Sequence, residues 1–134
     1  MCYNLNYKFE RGDIVSKVNA KITLQNAEDN FEYIVPAIYN DDDKVIIYNE
    51  QDDQKTLVKF NYITKELIRE NDSLLMKYNF NKEKNSQGTI YVKGMEKNLI
   101  VTIKTIKLVR WEDNNIEIEY QIENDKFNYK IEVI

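Results

Sequence analysis

Apolar and polar side chains alternate almost without error over the last part of this chain, from residue 115 to residue 133. Before the turn the even positions carry the apolar and aromatic residues Ile116, Ile118, Tyr120 and Ile122, and after it the odd positions carry Phe127, Tyr129, Ile131 and Val133. Because successive side chains of a strand point to opposite faces, the pattern predicts a β-hairpin with one buried and one solvated face. Asn124-Asp125 is the predicted turn, since both residue types tolerate the positive φ of a tight hairpin.

The rest of the chain shows the same alternation, broken by Asn and Asp clusters at roughly the 8–12-residue spacing of all-β folds. The best helix candidate, residues 62–74, is interrupted at Asn71-Asp72 and is better explained as two strands. About eight to ten sequential antiparallel strands make an up-and-down meander, whose edges stay unpaired unless the sheet closes. The sequence therefore predicts an all-β fold, a single antiparallel up-and-down β-barrel with little or no helix. A two-sheet sandwich is the alternative.

One long apolar run changes parity partway along its length. Leu99, Val101 and Ile103 share one parity, whereas Ile106 and Leu108 share the other. A β-bulge near Lys104-Thr105 would reconcile the two halves by inserting one residue and bending the strand. Barrels need such bends in order to close, so the change of parity favours the barrel.

Length and composition limit the kind of protein this is. A chain of 134 residues is about one domain long, and we expect residues 1–134 to form a single β-barrel domain, with 1–12 as a loosely ordered N-terminal segment. Cys2 is the only cysteine, so no internal disulfide can form. The first residues are too polar for a signal peptide, and no apolar run approaches membrane-spanning length. These features predict a soluble cytoplasmic protein with no membrane partner.

Several classes of chemistry are disfavoured by what the chain lacks. Histidine is absent, which removes Ser–His–acid and Cys–His triads, His-ligated haem and most catalytic zinc sites. The three glycines are isolated, so neither a dinucleotide-binding nor a Walker phosphate loop can be written. A net charge of −4 argues against nucleic-acid binding, which usually relies on a basic surface. We predict no cofactor, no metal and no nucleic-acid partner.

Clusters of acidic residues are predicted to be solvated. Asp41-Asp42-Asp43 and Asp52-Asp53 lack the glycine and distal glutamate of a calcium-binding EF-hand loop, and acidic hairpin tips are common. Glu117, Glu119 and Glu123 lie on the polar parity opposite Ile116 and Ile118, where nothing would raise their pKa values for acid–base work. These residues are expected to form turns and a wet strand face.

From about residue 55 onward the sequence resembles a known family. The matching features are Leu67-Ile68-Arg69 before a hairpin turn, Gly88-Thr89-Ile90 opening the following strand, Thr105, and the stripe Ile116-x-Ile118-x-Tyr120. They are similar to the uncharacterised bacterial YwiB-like family of small calycin-type, lipocalin-like barrels. The first fifty residues fit this family only by length and pattern. The resemblance implies an eight- to ten-stranded barrel and no established activity.

Arg69, Thr105 and Tyr120 are the candidate ligand-binding residues. Arg69 shares a parity with Leu67 that can face inward, and a guanidinium inside a barrel needs a carboxylate, carbonyl groups or a ligand anion as its partner. A surface arginine or a structural ion pair is the alternative. Tyr120 interrupts an apolar stripe, and the proposed bulge places it beside Thr105. Buried tyrosines usually satisfy their hydroxyl against a backbone group, which is the alternative for Tyr120.

Three functions are compatible with such a barrel. The first is binding of a small molecule in the barrel or at its mouth, with Arg69, Thr105 and Tyr120 as the polar groups. The second is a filled barrel that acts as a protein-interaction or regulatory module through outward apolar residues, for which Ile34, Ile38, Ile46 and Ile100 are the candidates. The third is a His-independent enzyme, which is disfavoured because no acidic residue on an inward parity is evident beside Arg69.

Overall fold

The computed structural model describes residues 15–51 and 54–134, so the predicted N-terminal segment 1–12 and Asp52-Asp53 lie outside it. Ten strands follow one another along this part of the chain and form a closed antiparallel barrel. The strands are β1 (Val15–Gln25), β2 (Asn30–Asn40), β3 (Val45–Asn49), β4 (Leu57–Asn61), β5 (Glu66–Glu70), β6 (Leu74–Asn79), β7 (Ser86–Val92), β8 (Lys97–Trp111), β9 (Asn115–Ile122) and β10 (Asp125–Val133). Helix within these ranges is limited to one 3-10 turn at Lys93–Met95. The predicted up-and-down barrel is confirmed.

The barrel closes because its first strand pairs with its last. β1 runs antiparallel to β10 from Ala20 opposite Val133 to Gln25 opposite Asn128. Every other strand pairs with its neighbours in sequence. Closure gives the edges of β1 and β10 a hydrogen-bonded partner, so the sandwich alternative is wrong.

The alternating pattern places one parity of each strand inside. Ile116, Ile118, Tyr129 and Ile131 are buried as their positions in the C-terminal hairpin predict. Their counterparts on the other strands complete an apolar interior: Ala20, Ile22, Val35, Ala37, Tyr39, Ile46, Tyr48, Val58, Phe60, Tyr62, Leu67, Met76, Tyr78, Phe80, Ile103 and Tyr120. Strand β3 is buried at all five positions, and is therefore covered on both faces.

Four isoleucines were candidates for an outward apolar patch, and the structure separates them. Ile34 and Ile100 are 54% and 67% exposed, as expected of outward residues. Ile38 is half-buried. Ile46 is fully buried, so its assignment to the outer surface is wrong. It lies opposite Tyr39 and Phe60, which are both core residues, and therefore faces inward.

The C-terminal hairpin turn lies one residue earlier than predicted. Ile122 pairs with Asp125, so the turn consists of Glu123 and Asn124. Glu123 adopts the positive φ, at 55°, for which an asparagine or aspartate was expected. Asp125 instead begins β10, because the apolar parity from Phe127 onward fixes the register of that strand.

Asparagine side chains hold several of the other turns. The Oδ1 atom of Asn40 accepts hydrogen bonds from the backbone N–H groups of Asp42 and Asp43, at 2.9 and 3.0 Å. Asn71 does the same for Ser73 and Leu74. An asparagine that bonds to the backbone two and three residues ahead imitates a backbone turn. This accounts for the strand breaks at Asn-rich positions.

The β-bulge occurs close to its predicted position. The pairing of β8 with β9 shifts register between Thr105 and Lys107, which leaves Ile106 as the extra residue. Ile106 points outward and is exposed. Thr105 lies directly opposite Tyr120, so the predicted proximity of these two residues is confirmed.

Aromatic side chains fill one end of the barrel. The Tyr62 ring packs edge-on against Phe60 and Tyr39, with centroids 5.2 and 5.9 Å apart. Its hydroxyl donates a 2.6 Å hydrogen bond to the carbonyl of Asn114, and the guanidinium of Arg110 lies 5.4 Å from its ring centre. This end of the barrel is therefore closed by packed side chains.

Candidate ligand cavity

An interior cavity lies toward the other end of the barrel, where β3, β5 and β9 end. Its volume is about 140 Å³. The lining residues are Leu24, Tyr48, Glu50, Val58, Leu67, Arg69, Met76, Tyr78, Tyr120, Ile122, Phe127 and Tyr129. An engineered apolar cavity of about 150 Å³ holds a benzene molecule, whereas drug-sized ligands occupy roughly 300–1,000 Å³. The space therefore suits a molecule with a single ring.

Two larger depressions lie elsewhere on the surface, and they are weaker candidates. One of 390 Å³ lies on the outer wall between β8 and β9 and includes the exposed Ile100. Another of 210 Å³ lies between the β1–β2 turn and the start of β10. Their lining residues include no partly enclosed ion pair, whereas the interior cavity has one beside a wall of aromatic rings.

Arg69 points into the cavity from β5. It lies opposite Val58 on β4 and Met76 on β6, and both of these side chains are buried in the core. Its guanidinium Nη2 donates to Oε1 of Glu50, the residue that follows β3. The Arg69 side chain keeps 33% exposure and that of Glu50 keeps 14%, so the ion pair lies near the mouth of the cavity.

Glu50 is the acidic partner that the sequence interpretation missed, and the prediction that no inward acid faces Arg69 is wrong. Glu50 belongs to the polar gap 50–54 between two apolar stripes, and the pattern assigns no face of the barrel to that gap. Its parity nevertheless matches that of Ile46 and Tyr48, which both face inward. The sequence of β3 is apolar at most positions and shows no alternation, so it does not reveal that this parity, and Glu50 with it, faces inward.

The guanidinium of Arg69 has more donors than its protein contacts use. Burial disfavours its charged form, but the hydrogen bond and the negative charge of Glu50 outweigh that effect and raise the pKa of Arg69. In the part of the chain that the structure describes, its Nη1 contacts Sδ of Met76 at 4.0 Å, and that sulfur is a weak acceptor. Its Nε is buried and has no hydrogen-bond partner among the described residues. The arginine stays cationic and is incompletely paired.

Two tyrosine hydroxyls meet at the cavity wall. Tyr48 on β3 and Tyr129 on β10 share a short hydrogen bond, and either oxygen can be the donor. Both side chains are fully enclosed, and this burial raises both pKa values well above the ordinary tyrosine value. The pair therefore presents neutral phenols to the cavity at physiological pH.

Tyr120 supplies a flat wall. Its ring stacks on Phe127 with centroids 5.1 Å apart and an interplanar angle of 20°. It also contacts Phe80 and Tyr78, at 4.9 and 6.2 Å between centroids. Burial raises the pKa of Tyr120, so it too remains a neutral phenol. The cavity therefore offers aromatic surfaces next to one charged pair.

Thr105 is not part of the cavity lining. Its side chain is buried opposite Tyr120, but its Oγ1 accepts the backbone N–H of Asn81 at 3.2 Å. The hydroxyl thus ties the loop after β6 to β8. Of the three residues selected from the sequence, Arg69 and Tyr120 line the same cavity. Thr105 lies opposite Tyr120 on the neighbouring strand and outside the cavity lining.

Acidic residues described outside the cavity form ion pairs and hydrogen bonds with neighbouring side chains. Lys44 pairs with Asp41 at 2.9 Å in an exposed turn. Hydrogen bonds from Asn128 and Lys107 lower the pKa of Glu117, the opposite of what a general acid needs. No group of three metal-binding side chains occurs within residues 15–51 and 54–134. No helix in these ranges is long and apolar enough to cross a membrane.

The fold and cavity define a class of protein, namely small closed barrels of sequential antiparallel strands that are packed at one end and hollow toward the other. Residues 16–131 match the family described as Domain of unknown function (DUF1934), and the chain belongs to that family. The match extends the predicted resemblance into the first half of the sequence.

One solved structure shows the same fold. The crystal structure of the ywiB protein from Bacillus subtilis superposes with a TM-score of 0.55, covering 91% of this chain and 93% of that chain at 13% sequence identity. At that identity the likeness shows the fold alone. Together with the family match it confirms the YwiB-like resemblance, and the closed barrel fits the calycin-type description. No curated protein matches this chain.

Proposed function

We propose that this protein binds a small, flat and largely apolar molecule in the cavity, with the Arg69–Glu50 pair at the polar end of the site. The aromatic side chains of Tyr48, Tyr120 and Phe127 would contact the body of the ligand. Thr105 would act indirectly, by holding the strand that lies against Tyr120. In this proposal the protein is a binding protein and not an enzyme.

The observation that carries the proposal is an incompletely paired guanidinium inside an aromatic cavity. Removing an ion pair from water costs more than apolar packing at the same positions, so a barrel built only for stability does not need one. Buried donors without acceptors are rare in native proteins. An arginine with unused donors beside an unfilled volume of about 140 Å³ is what a polar anchor for a ligand requires.

The interaction-module alternative has less support. The exposed Ile34 lies on β2 and the exposed Ile100 on β8, and several strands separate β2 from β8 around the barrel in either direction. Singly exposed apolar residues are normal on soluble proteins, and only contiguous patches indicate an interface. These two isoleucines do not form one patch.

The enzyme alternative gains a carboxylate near Arg69 but no free one. Glu50 is engaged by the guanidinium through Oε1, and it lies in a site with a stable positive charge. A general base needs a carboxylate oxygen that is free to take a proton from the substrate, whereas Oε1 of Glu50 already accepts a hydrogen bond from the guanidinium of Arg69. The geometry therefore supports binding better than proton transfer.

Ligand-observed NMR with a library of single-ring fragments would test the proposal. We expect several fragments to bind wild-type protein and to lose affinity in Arg69→Gln. Arg110→Gln is the matched control, because Arg110 lies at the packed end of the barrel over Tyr62. Binding that is equal in all three proteins, or no binding to the wild type, would contradict a site at Arg69.

A further inference from the structure

Among the described residues that line the cavity, the charged side chains sum to zero. Arg69 contributes a cation and Glu50 an anion, and the two are in direct contact. An anionic ligand would bring a second carboxylate beside Glu50 or displace Glu50 from its only cationic partner in the cavity lining. A cationic ligand would meet the same difficulty at Arg69. A neutral ligand leaves the pair intact.

The hydrogen-bonding groups of the pair are of opposite kinds. Arg69 can only donate, and within residues 15–51 and 54–134 the recorded contact of its Nη1 is with the sulfur of Met76, a weak acceptor. Glu50 can only accept when ionised, and its hydrogen bond with Arg69 is made through Oε1. A ligand edge that complements both residues carries one acceptor and one donor side by side.

The walls and the volume define the rest of the ligand. Tyr120, Phe127 and Tyr78 present ring surfaces to the cavity, and these favour a planar partner. The volume of about 140 Å³ accommodates one ring. Neutral phenols of Tyr48 and Tyr129 add no charge that would change this balance.

We infer that the ligand is a neutral, planar, single-ring heterocycle with adjacent C=O and N–H groups, as in a cyclic amide. Its carbonyl accepts from the guanidinium of Arg69 and its N–H donates to Glu50, while its ring lies among the tyrosine and phenylalanine side chains. This inference rests on the proposed binding function and specifies the chemistry that the site recognises.

Four single-ring probes of similar size separate the possible ligand classes. They are 2-pyridone (a neutral cyclic amide), benzoate (an anion), benzamidine (a cation) and toluene (shape alone), each titrated against full-length protein by calorimetry and ligand-observed NMR. We expect 2-pyridone to bind at least about tenfold more tightly than the other three, since hydrogen bonds to charged groups are worth about that factor or more.

The variant Glu50→Gln gives a readout that a purely structural role would not produce. It keeps the shape of the side chain but leaves the charge of Arg69 without its anion, so we expect the order of 2-pyridone and benzoate to invert. Arg69→Gln should lower the affinity for 2-pyridone by about tenfold or more, and Arg110→Gln should leave it unchanged. If Arg69→Gln does not fold, the wild-type and Glu50→Gln titrations decide the question.

The outcomes distinguish failure of the neutral-ligand inference from failure of the proposed binding function. Tighter binding of benzoate or benzamidine to the wild type would overturn the neutral-ligand inference but support a ligand site. Equal binding of toluene and 2-pyridone would show that the charged pair takes no part in recognition. That result too would overturn the neutral-ligand inference but support a ligand site. If none of the four probes binds, the proposed function fails together with the inference.

Discussion

Gly88 lies directly opposite Tyr78 in the pairing of β6 with β7, and the Tyr78 ring occupies the space that a side chain at position 88 would need. A Cβ atom placed on Gly88 would lie 2.6 Å from Cδ1 of Tyr78 and 3.0 Å from Cδ1 of Ile103. The missing side chain lets the Tyr78 ring lie over the strand and line the cavity. Glycine in a strand often marks such a close approach.

Substituting Gly88→Ala should therefore destabilise the barrel and alter the cavity. The tyrosine ring must move away from the added methyl group, and overpacking of this kind costs about 1–3 kcal/mol. Urea denaturation would measure the change in the free energy of unfolding. Gly94→Ala is the matched control, because nothing lies within 4 Å of a Cβ atom at that position. Equal stability of the two variants would contradict the tight packing of Tyr78 on Gly88.

The hydrogen bond between Tyr48 and Tyr129 should appear as a coupling between two substitutions. Tyr48→Phe or Tyr129→Phe alone leaves one buried hydroxyl without its partner and should cost about 1–3 kcal/mol of stability. The double variant removes both polar groups, so it should be about as stable as the less damaging single variant or more so. Unfolding energies of all four proteins would give the coupling, and strictly additive losses would contradict it.

Alkaline pH should destabilise the protein through the same two tyrosines. Burial raises their pKa values well above the ordinary 10.0, so the folded state holds these protons more tightly than the unfolded state does. Their contribution to stability is complete below about pH 10 and decreases as the pH rises from there toward the folded-state values.

Unfolding free energies measured between about pH 8 and pH 11, together with phenolate absorbance, would check this behaviour. We expect the phenolate signal of the buried tyrosines to appear only with unfolding. The double variant Tyr48→Phe/Tyr129→Phe should lose less stability over the same interval. A decline of equal steepness in wild type and double variant would assign the effect to other groups.

The Arg69–Glu50 pair is expected to serve binding more than stability. Arg69→Met alone leaves Glu50 without its cation at the mouth of an apolar cavity, and should cost about 1–3 kcal/mol because both side chains are only partly enclosed. The double variant Arg69→Met/Glu50→Leu should recover most of that loss, since apolar replacements of an ion pair are often neutral or stabilising.

The same double variant should lose the affinity for polar fragments. Thermal unfolding and fragment titration on the wild type, the single variant and the double variant would separate the two effects. A double variant that is still destabilised, yet binds the fragments as the wild type does, would contradict this prediction. It would show that the Arg69–Glu50 pair contributes to stability and not to binding.

Alternation made most of the fold predictable from the sequence. The parity of Ile116, Ile118 and Tyr120 was sufficient to place the C-terminal hairpin, and the parity change before Ile106 located the bulge to within about one residue. Both signals arise because a strand buried on one face must alternate. Ile46 was misassigned because it belongs to β3, which is covered on both faces and therefore shows no alternation.

The candidate site was only partly predictable. Arg69 and Tyr120 were recognisable as polar groups on inward parities. Glu50 was not, because it lies just beyond the end of β3 in a polar segment whose composition resembles that of any turn. The cavity itself depends on how side chains from distant strands share the interior volume, and a pattern along one strand does not contain that information.

Closure of the barrel has a consequence for how the chain is made. β1 is the first strand of the barrel to leave the ribosome. One of its edges can pair only after β10, the last strand, has been made, because Ala20 pairs with Val133. Pairings between strands so far apart in sequence slow folding, and an unpaired strand edge can pair with other chains. Until β10 has been made, that edge of β1 lacks the partner it has in the closed barrel. The speed with which the last hairpin arrives decides how long neighbouring chains can compete for that edge.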